Sequence, residues 1–254
     1  MILDEIIKNK REEIKNLKIP ACPERSRGAI PFKSALQRSD KIKLIAEVKK
    51  QSPSAGVICP NFDPVKIAKI YEKAGASAIS VLTDQKFFGG SIEDLKKVKA
   101  AVKIPVLRKD FIIDEKQIYE SMAAGADAIL LIVKVLGLQQ LKEFLKITEK
   151  LKMDALVEIH NSDEAEMALE AGAEIIGINN RDLQTFRVDF KNTLGLIKKY
   201  PELKNRILVS ESGIKNSKQV SELHAAGVSA ILVGESLLKA KDISAKIAEL
   251  IGLS

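Results

Sequence analysis

Four stretches of the chain repeat one another: KAGASAISVL (73–82), AAGADAILLI (123–132), EAGAEIIGIN (170–179) and AAGVSAILVG (225–234). Each reads as the last turn of a helix, a glycine able to take the left-handed conformation at the cap, and then a short apolar strand. The glycines Gly75, Gly125, Gly172 and Gly227 fall roughly fifty residues apart, too far for one strand–helix unit of roughly 30. Each period therefore holds two units. The remaining strands lie between the repeats: KLIAEVK (43–49), IPVLRKDF (104–111), DALVEIH (154–160) and RILVSES (206–212). Amphipathic patterns such as SIEDLKKVKAAV and NSKQVSELHAA separate them, several opening on Asp, Ser or Asn, the side chains that cap a first helical turn. Eight strands alternating with eight helices imply parallel strands, right-handed crossovers and closure into a (β/α)8 TIM barrel. An open doubly wound sheet fits less well, because no GxGxxG follows the first strand and no acidic residue is placed for a ribose.

The 254 residues are 46% hydrophobic and 30% charged, enough for one large core and a single domain over 1–254. Residues 1–40 precede the first strand and read as an extension, with a helix from Leu3 to about Leu17 and a linker around Pro20, Pro23 and Pro31. The longest unbroken apolar run, Ala128 to Val133, is far short of the ~20 residues that span a bilayer, so no membrane is expected as a partner. The opening MILDEIIKNKREE carries charges where a secretory signal has an apolar run, and a cytoplasmic location is expected. The formal charge of +7 favours anionic partners, though lysines on helical patterns such as LKEFLKITEKLK account for most of the excess. Cys22, Cys59, His160 and His224 supply neither a disulfide framework nor a metal-ligand spacing, and both thiols read as inert.

A barrel of this kind carries its chemistry where strands end and run into their following loops. Polar side chains interrupt the apolar strands there. The first strand gives Glu47 and Lys49 on one face; later strands give Lys109 and Asp110, Glu158, Asn179 and Arg181, and Glu211 and Ser212. Gathering so many ionisable groups is costly unless they pair with one another or with a ligand, which marks the mouth as a functional site. Lysine and glutamate without metal ligands point to proton transfer on an organic substrate. A lysine desolvated near other cations has a lowered pKa and a glutamate in an apolar mouth a raised one, so that both exchange protons near neutrality. Gly213 in SESGI, with Gly234 and Glu235 in VGESLL, places small residues and helix starts at adjacent strand ends, an anion site suited to a phosphorylated substrate. The irregular segment SPSAGVICPNFDP (52–64) reads as a lid. His160 suits a rim position better than a catalytic one and His224 faces solvent. Phe87, Phe88 and Phe111 either pack the core or wall a planar substrate.

The ordered motifs ILDEIIKNKREE, IAEVKKQSPSAG, VLTDQKFFGGS, VLRKDFIID, ADAILLIV, LVEIHN, IGINNRDLQTF, LVSESGI and ILVGESLL resemble the indole-3-glycerol phosphate synthase family of tryptophan biosynthesis over nearly the whole chain. The resemblance implies a carboxy-lyase that closes, decarboxylates and dehydrates 1-(2-carboxyphenylamino)-1-deoxyribulose 5-phosphate to indole-3-glycerol phosphate, with no cofactor and no metal. It implies Lys109 as the acid that protonates the ribulose carbonyl oxygen and Glu158 as its acid–base partner. Glu47 and Lys49 orient substrate, Lys49 at its carboxylate or phosphate, and Ser212 and Asn179 complete the catalytic set. Ser52, Phe88, Phe111, Arg181 and Glu211 are implied as substrate contacts, and Gly213, Gly234 and Glu235 as backbone donors to phosphate. The extension is implied to cover the barrel mouth and the anthranilate ring. The expected protein is a monomer whose partner is a small phosphorylated molecule.

Two other functions are weaker. The isomerase that precedes this step, phosphoribosylanthranilate isomerase, would want a Cys or Asp acid–base pair at the strand ends, which the sequence does not place there. A basic nucleic-acid-binding module would explain the charge, but the three tyrosines and eight phenylalanines are dispersed and no binding motif is present.

Overall fold

The computed structural model describes residues 2–18, 30–182, 185 and 187–252. Eight parallel strands close into a barrel: β1 (Lys43–Val48), β2 (Ala78–Leu82), β3 (Val106–Lys109), β4 (Ala128–Ile132), β5 (Asp154–Ile159), β6 (Ile175–Asn179), β7 (Ile207–Glu211) and β8 (Ala230–Val233). Closure is made by β1, which pairs with β2 through Ile45 and Ala78 and with β8 through Lys43 and Ala230. The four repeat glycines all take positive φ just before their strands, as the sequence predicts. Asp63, Ser91, Asp114, Asn161, Asn216 and Asp242 each accept a first-turn amide of the helix they precede.

Alternation along the strands divides the core in two. In β4, Ala128, Leu130 and Ile132 join Ile45, Leu107, Leu156, Val209 and Leu232 in the barrel interior, while Ile129 and Leu131 pack outward against the helices. Each such aliphatic side chain contributes about 1.5–3 kcal/mol by leaving water. The same parity aims the polar strand ends: Glu47, Lys109, Glu158 and Glu211 each stand two residues after an interior apolar residue, Ile45, Leu107, Leu156 and Val209. Asp110 has the opposite parity.

The extension serves both ends of the barrel, so the expectation that all of 1–40 covers the mouth needs correction. Helix Ile2–Lys15 lies at the mouth, its Lys10 paired with Asp84 and Asp110 in the loops after β2 and β3. At the opposite end the Ile30 and Lys33 amides donate to Asp127 and Asp154, beside the starts of β4 and β5, and the buried Phe32 and Leu36 plug the barrel floor. Pro20, Pro23 and Cys22 lie outside the described residues. The expected lid is tighter than its prolines suggest, because Gln51–Ser52 pairs with Gly56–Val57 as an antiparallel hairpin. His224 does not simply face solvent: it is half-buried, with Nε2 3.0 Å from the Ser39 carbonyl oxygen. Among the described residues no helix is long and apolar enough to cross a membrane.

Candidate active site

A cavity of about 680 Å³ opens at the C-terminal ends of the strands, and every predicted site residue from Glu47 to Glu235 lines it. Its floor is the apolar interior, where Leu130, Ile132 and Leu232 sit. Above that floor stands a charged layer. Lys109 Nζ lies 3.6 Å from Glu158 Oε2 and 3.9 Å from Glu211 Oε2, while Lys49 pairs with Glu47. Asn179 Oδ1 accepts the Arg181 amide at 3.0 Å, fixing the turn that brings the Arg181 guanidinium over the cavity.

Two glycines make room for this layer. A Cβ on Gly177 of β6 would collide with Glu211 Oε1, and one on Gly234 would press on the Glu47 carboxylate. Glycine inside a strand weakens it, so its presence at 177 is explained by the Glu211 carboxylate that fills the vacated space, and Gly234, just past the end of β8, leaves the same room for Glu47. Gly177→Ala is therefore expected to displace Glu211 and lower kcat/KM by about 10–100-fold with the barrel's circular dichroism unchanged. Steady-state assay of that variant checks it, and full activity would show that the fit of 177 against 211 carries no weight.

The protonation states separate the carboxylates. Burial works against a charge on Glu158, but Lys109 and His160 outweigh it and hold its pKa down at about 2. Burial opposes ionisation of Glu47 as well, and Lys49 and Lys109 keep it below the usual carboxylate range. Glu211 goes the other way: burial and the charge on Glu158 push it up to about 8, against the pull of Lys109. Lys109 itself, depressed by burial, is raised above the ordinary lysine value by Glu158, Glu211 and Glu47. The expectation of a lowered lysine is thus corrected, while that of a raised glutamate holds at Glu211 and fails at Glu47 and Glu158. Near neutrality Glu47 and Glu158 are carboxylates, Lys109 is an ammonium and Glu211 is a carboxylic acid, because Glu211 stands farther from Lys109 than Glu158 does and faces the charge on Glu158.

His160 does not line the cavity. Its Nε2 lies 3.2 Å from Glu158 Oε1 and its Nδ1 2.9 Å from Glu164 Oε2. Burial disfavours the imidazolium, yet these two carboxylates raise its pKa to about 10, so His160 fixes Glu158 from behind. Asp110 turns away from the proton-transfer cluster and bonds Thr83, Arg108 and Lys10. Phe88 and Phe111 stand at the cavity wall with ring centroids 6.2 Å apart. Phe87 instead packs beside them under Lys86. Cys59 is half-buried against the outer core.

At the β7–β8 end the lining is Ser212, Gly213, Gly234, Glu235 and Ser236, with Lys215 and Lys239 at the rim. Ser212 takes φ 64°, a left-handed conformation costing a non-glycine residue on the order of 1–3 kcal/mol, and its carbonyl is held by Asn180 Nδ2 at 3.1 Å. Gly213 follows at φ 79°, where a Cβ would run into Val188. Strained, small-residue backbone beside lysines is an arrangement suited to an anion. The Glu235 carboxylate is engaged by Lys239 at 2.6 Å and stands 3.8 Å from Arg181. Sequence reasoning missed Lys215, Lys239, Gly177 and Lys10. Of these Lys10 carried a signal, since it falls four residues after Ile6 on the apolar stripe of its helix.

Fold and site together define a (β/α)8-barrel enzyme whose mouth gathers lysine and glutamate side chains above an apolar floor. The indole-3-glycerol phosphate synthase family profile matches residues 3–250, and the chain belongs to that family. It is 49% identical to an indole-3-glycerol phosphate synthase of Endomicrobium trichonymphae, over 98% of this chain and 99% of that one. It is 47% identical to one of Thermoanaerobacter pseudethanolicus, over 99% and 97%. Among solved structures, an N-acetylmannosamine-6-phosphate 2-epimerase from Clostridium perfringens superposes with a TM-score of 0.63 at 15% identity, covering 84% of this chain and 93% of that one, a likeness of fold alone.

Proposed function

We propose that this chain converts 1-(2-carboxyphenylamino)-1-deoxyribulose 5-phosphate to indole-3-glycerol phosphate, carbon dioxide and water, with Lys109, Glu158 and Glu211 moving the protons. The aryl ring lies against Phe88 and Phe111 and the phosphate against Gly213, Gly234 and Glu235 backbone, with Lys49 and Arg181 on the oxygens between. The ring carbon that bears the carboxylate attacks the ribulose carbonyl carbon, and the carbonyl oxygen takes a proton from the Lys109 ammonium. A cation within reach of the developing charge both stabilises it and supplies the proton, which a second carboxylate cannot do. Loss of carbon dioxide leaves its bonding electrons to the ring. Glu158, ionised, then accepts the proton removed in dehydration, and Glu211, which keeps its proton near neutrality, supplies one to the departing hydroxyl.

The observation that carries this assignment is the meeting of Lys109 with both Glu158 and Glu211 above an apolar floor. The chain works as a cytoplasmic monomer; Val57 and Val188 are the exposed large hydrophobic side chains among the described residues, too few for a broad association face. The test is the fluorescence of indole-3-glycerol phosphate formed from the synthetic ribulose phosphate, with a chelator present. Turnover is expected, and none with correctly folded protein would reject the assignment. In the same assay inorganic phosphate is expected to compete with an inhibition constant on the order of 10 mM. Absence of competition at roughly 50 mM would remove the anion site between β7 and β8.

A further inference from the structure

Lys10 is 3% exposed although it belongs to a helix outside the barrel. Its ammonium lies 3.0 Å from Asp84 Oδ2, 2.9 Å from Asp110 Oδ1 and 2.7 Å from Glu13 Oε2. Asp84 and Asp110 are themselves buried, on separate loops after β2 and β3. Each has a second duty. Asp84 Oδ1 accepts the Phe87 amide at 2.8 Å and so starts the short helix Gln85–Phe88, and Asp110 Oδ1 accepts the Phe111 amide at 2.8 Å. Phe88 and Phe111 are the paired rings on one wall of the cavity, and Ile6 of the same N-terminal helix joins their apolar cluster.

We propose that Lys10 is a positioning residue for the aryl ring of the substrate: one buried ammonium clamps the two carboxylates that hold the backbone of the aromatic wall. Without it two buried carboxylates face each other across the loops, with Arg108 and Thr83 left to Asp110 alone, and their repulsion drives Phe88 and Phe111 apart. Lys10 touches no reacting atom. It acts on how tightly the ring is seated and leaves the proton-transfer cluster around Lys109 unaltered. The inference rests on the ring lying at the apolar end of the cavity.

Lys10→Met tests it, with Lys10→Arg as the conservative variant that can still bridge both carboxylates. Lys10→Met is expected to raise KM by about tenfold with kcat within about threefold of the parent and the phosphate inhibition constant unchanged, because phosphate binds the far end. Lys10→Arg is expected to restore KM to within about threefold. Hydrogen exchange at the Phe87 and Phe111 amides supplies a readout independent of turnover: in Lys10→Met both should exchange at least about tenfold faster while β5 to β8 stay protected. Should Lys10→Met fail to fold, Asp84→Asn keeps the cap acceptor, removes one charge from the clamp, and is expected to speed exchange at Phe87. Unchanged exchange at both amides, or KM and the phosphate inhibition constant rising together, would overturn the clamp. Failure of the parent enzyme to turn over the ribulose phosphate would reject the functional assignment instead and leave the exchange experiment decisive for Lys10.

Discussion

Lys109→Ala lowers kcat by about 10³-fold or more, leaves the circular dichroism spectrum of the barrel intact and preserves phosphate binding; this is the largest effect expected of any single substitution. The size follows from two losses at once, the proton donor to the carbonyl oxygen and the positive charge beside it. The fold survives because the charge imbalance has an outlet. Glu211 already sits at about 8, and removal of the Lys109 charge that pulls it down lets it stay protonated to higher pH. The alkaline limb of kcat/KM in the residual activity is accordingly expected to move upward. Steady-state and single-turnover assays measure the loss. A variant retaining a tenth of parental kcat would remove Lys109 from its role as acid.

Glu158→Gln is expected to lower kcat by about 10²–10³-fold with a change in KM below about threefold, since the amide keeps the shape and loses the capacity to accept a proton. A second effect fixes the sign of a pH shift. The carboxylate of Glu158 is, after burial, the main influence holding Glu211 up at about 8. In the parent, kcat/KM falls as pH rises through that value, because ionised Glu211 has no proton to give. With Glu158 neutral the repulsion is gone, Glu211 ionises more readily, and the alkaline limb moves to lower pH. The two substitutions thus move the same limb in opposite directions. A loss confined to KM, or an alkaline limb unmoved by Glu158→Gln, would count against the coupling of 158 with 211.

Much of this site is legible in the chain because β-strand parity is a strict rule. Leu107 to Lys109, Leu156 to Glu158 and Val209 to Glu211 are steps of two, and each carries an apolar interior position to a polar mouth position on the same face. The parity also marks Asp110 as facing elsewhere, which composition at the strand end alone conceals. The protonation states are not legible, since they depend on which of three glutamates is farthest from a cation in space. Gly177 reads as an ordinary strand residue until its neighbour across β7 is known. The division of the extension between mouth and floor is invisible for a related reason: the Ile30 and Lys33 amides and the Lys10 ammonium find their partners at residues distant along the chain, Asp127 and Asp154 at one end and Asp84 and Asp110 at the other.

The central claim is that Lys109 and Glu158 act as one unit on one sequence of proton transfers. A double-mutant cycle in kcat tests it most directly. If the pair is a unit, Lys109→Ala with Glu158→Gln falls within about tenfold of the worse single variant, because the second removal disables machinery already broken. Losses that multiply across the cycle, each substitution costing its full factor in the presence of the other, would show two independent contributions and contradict the account.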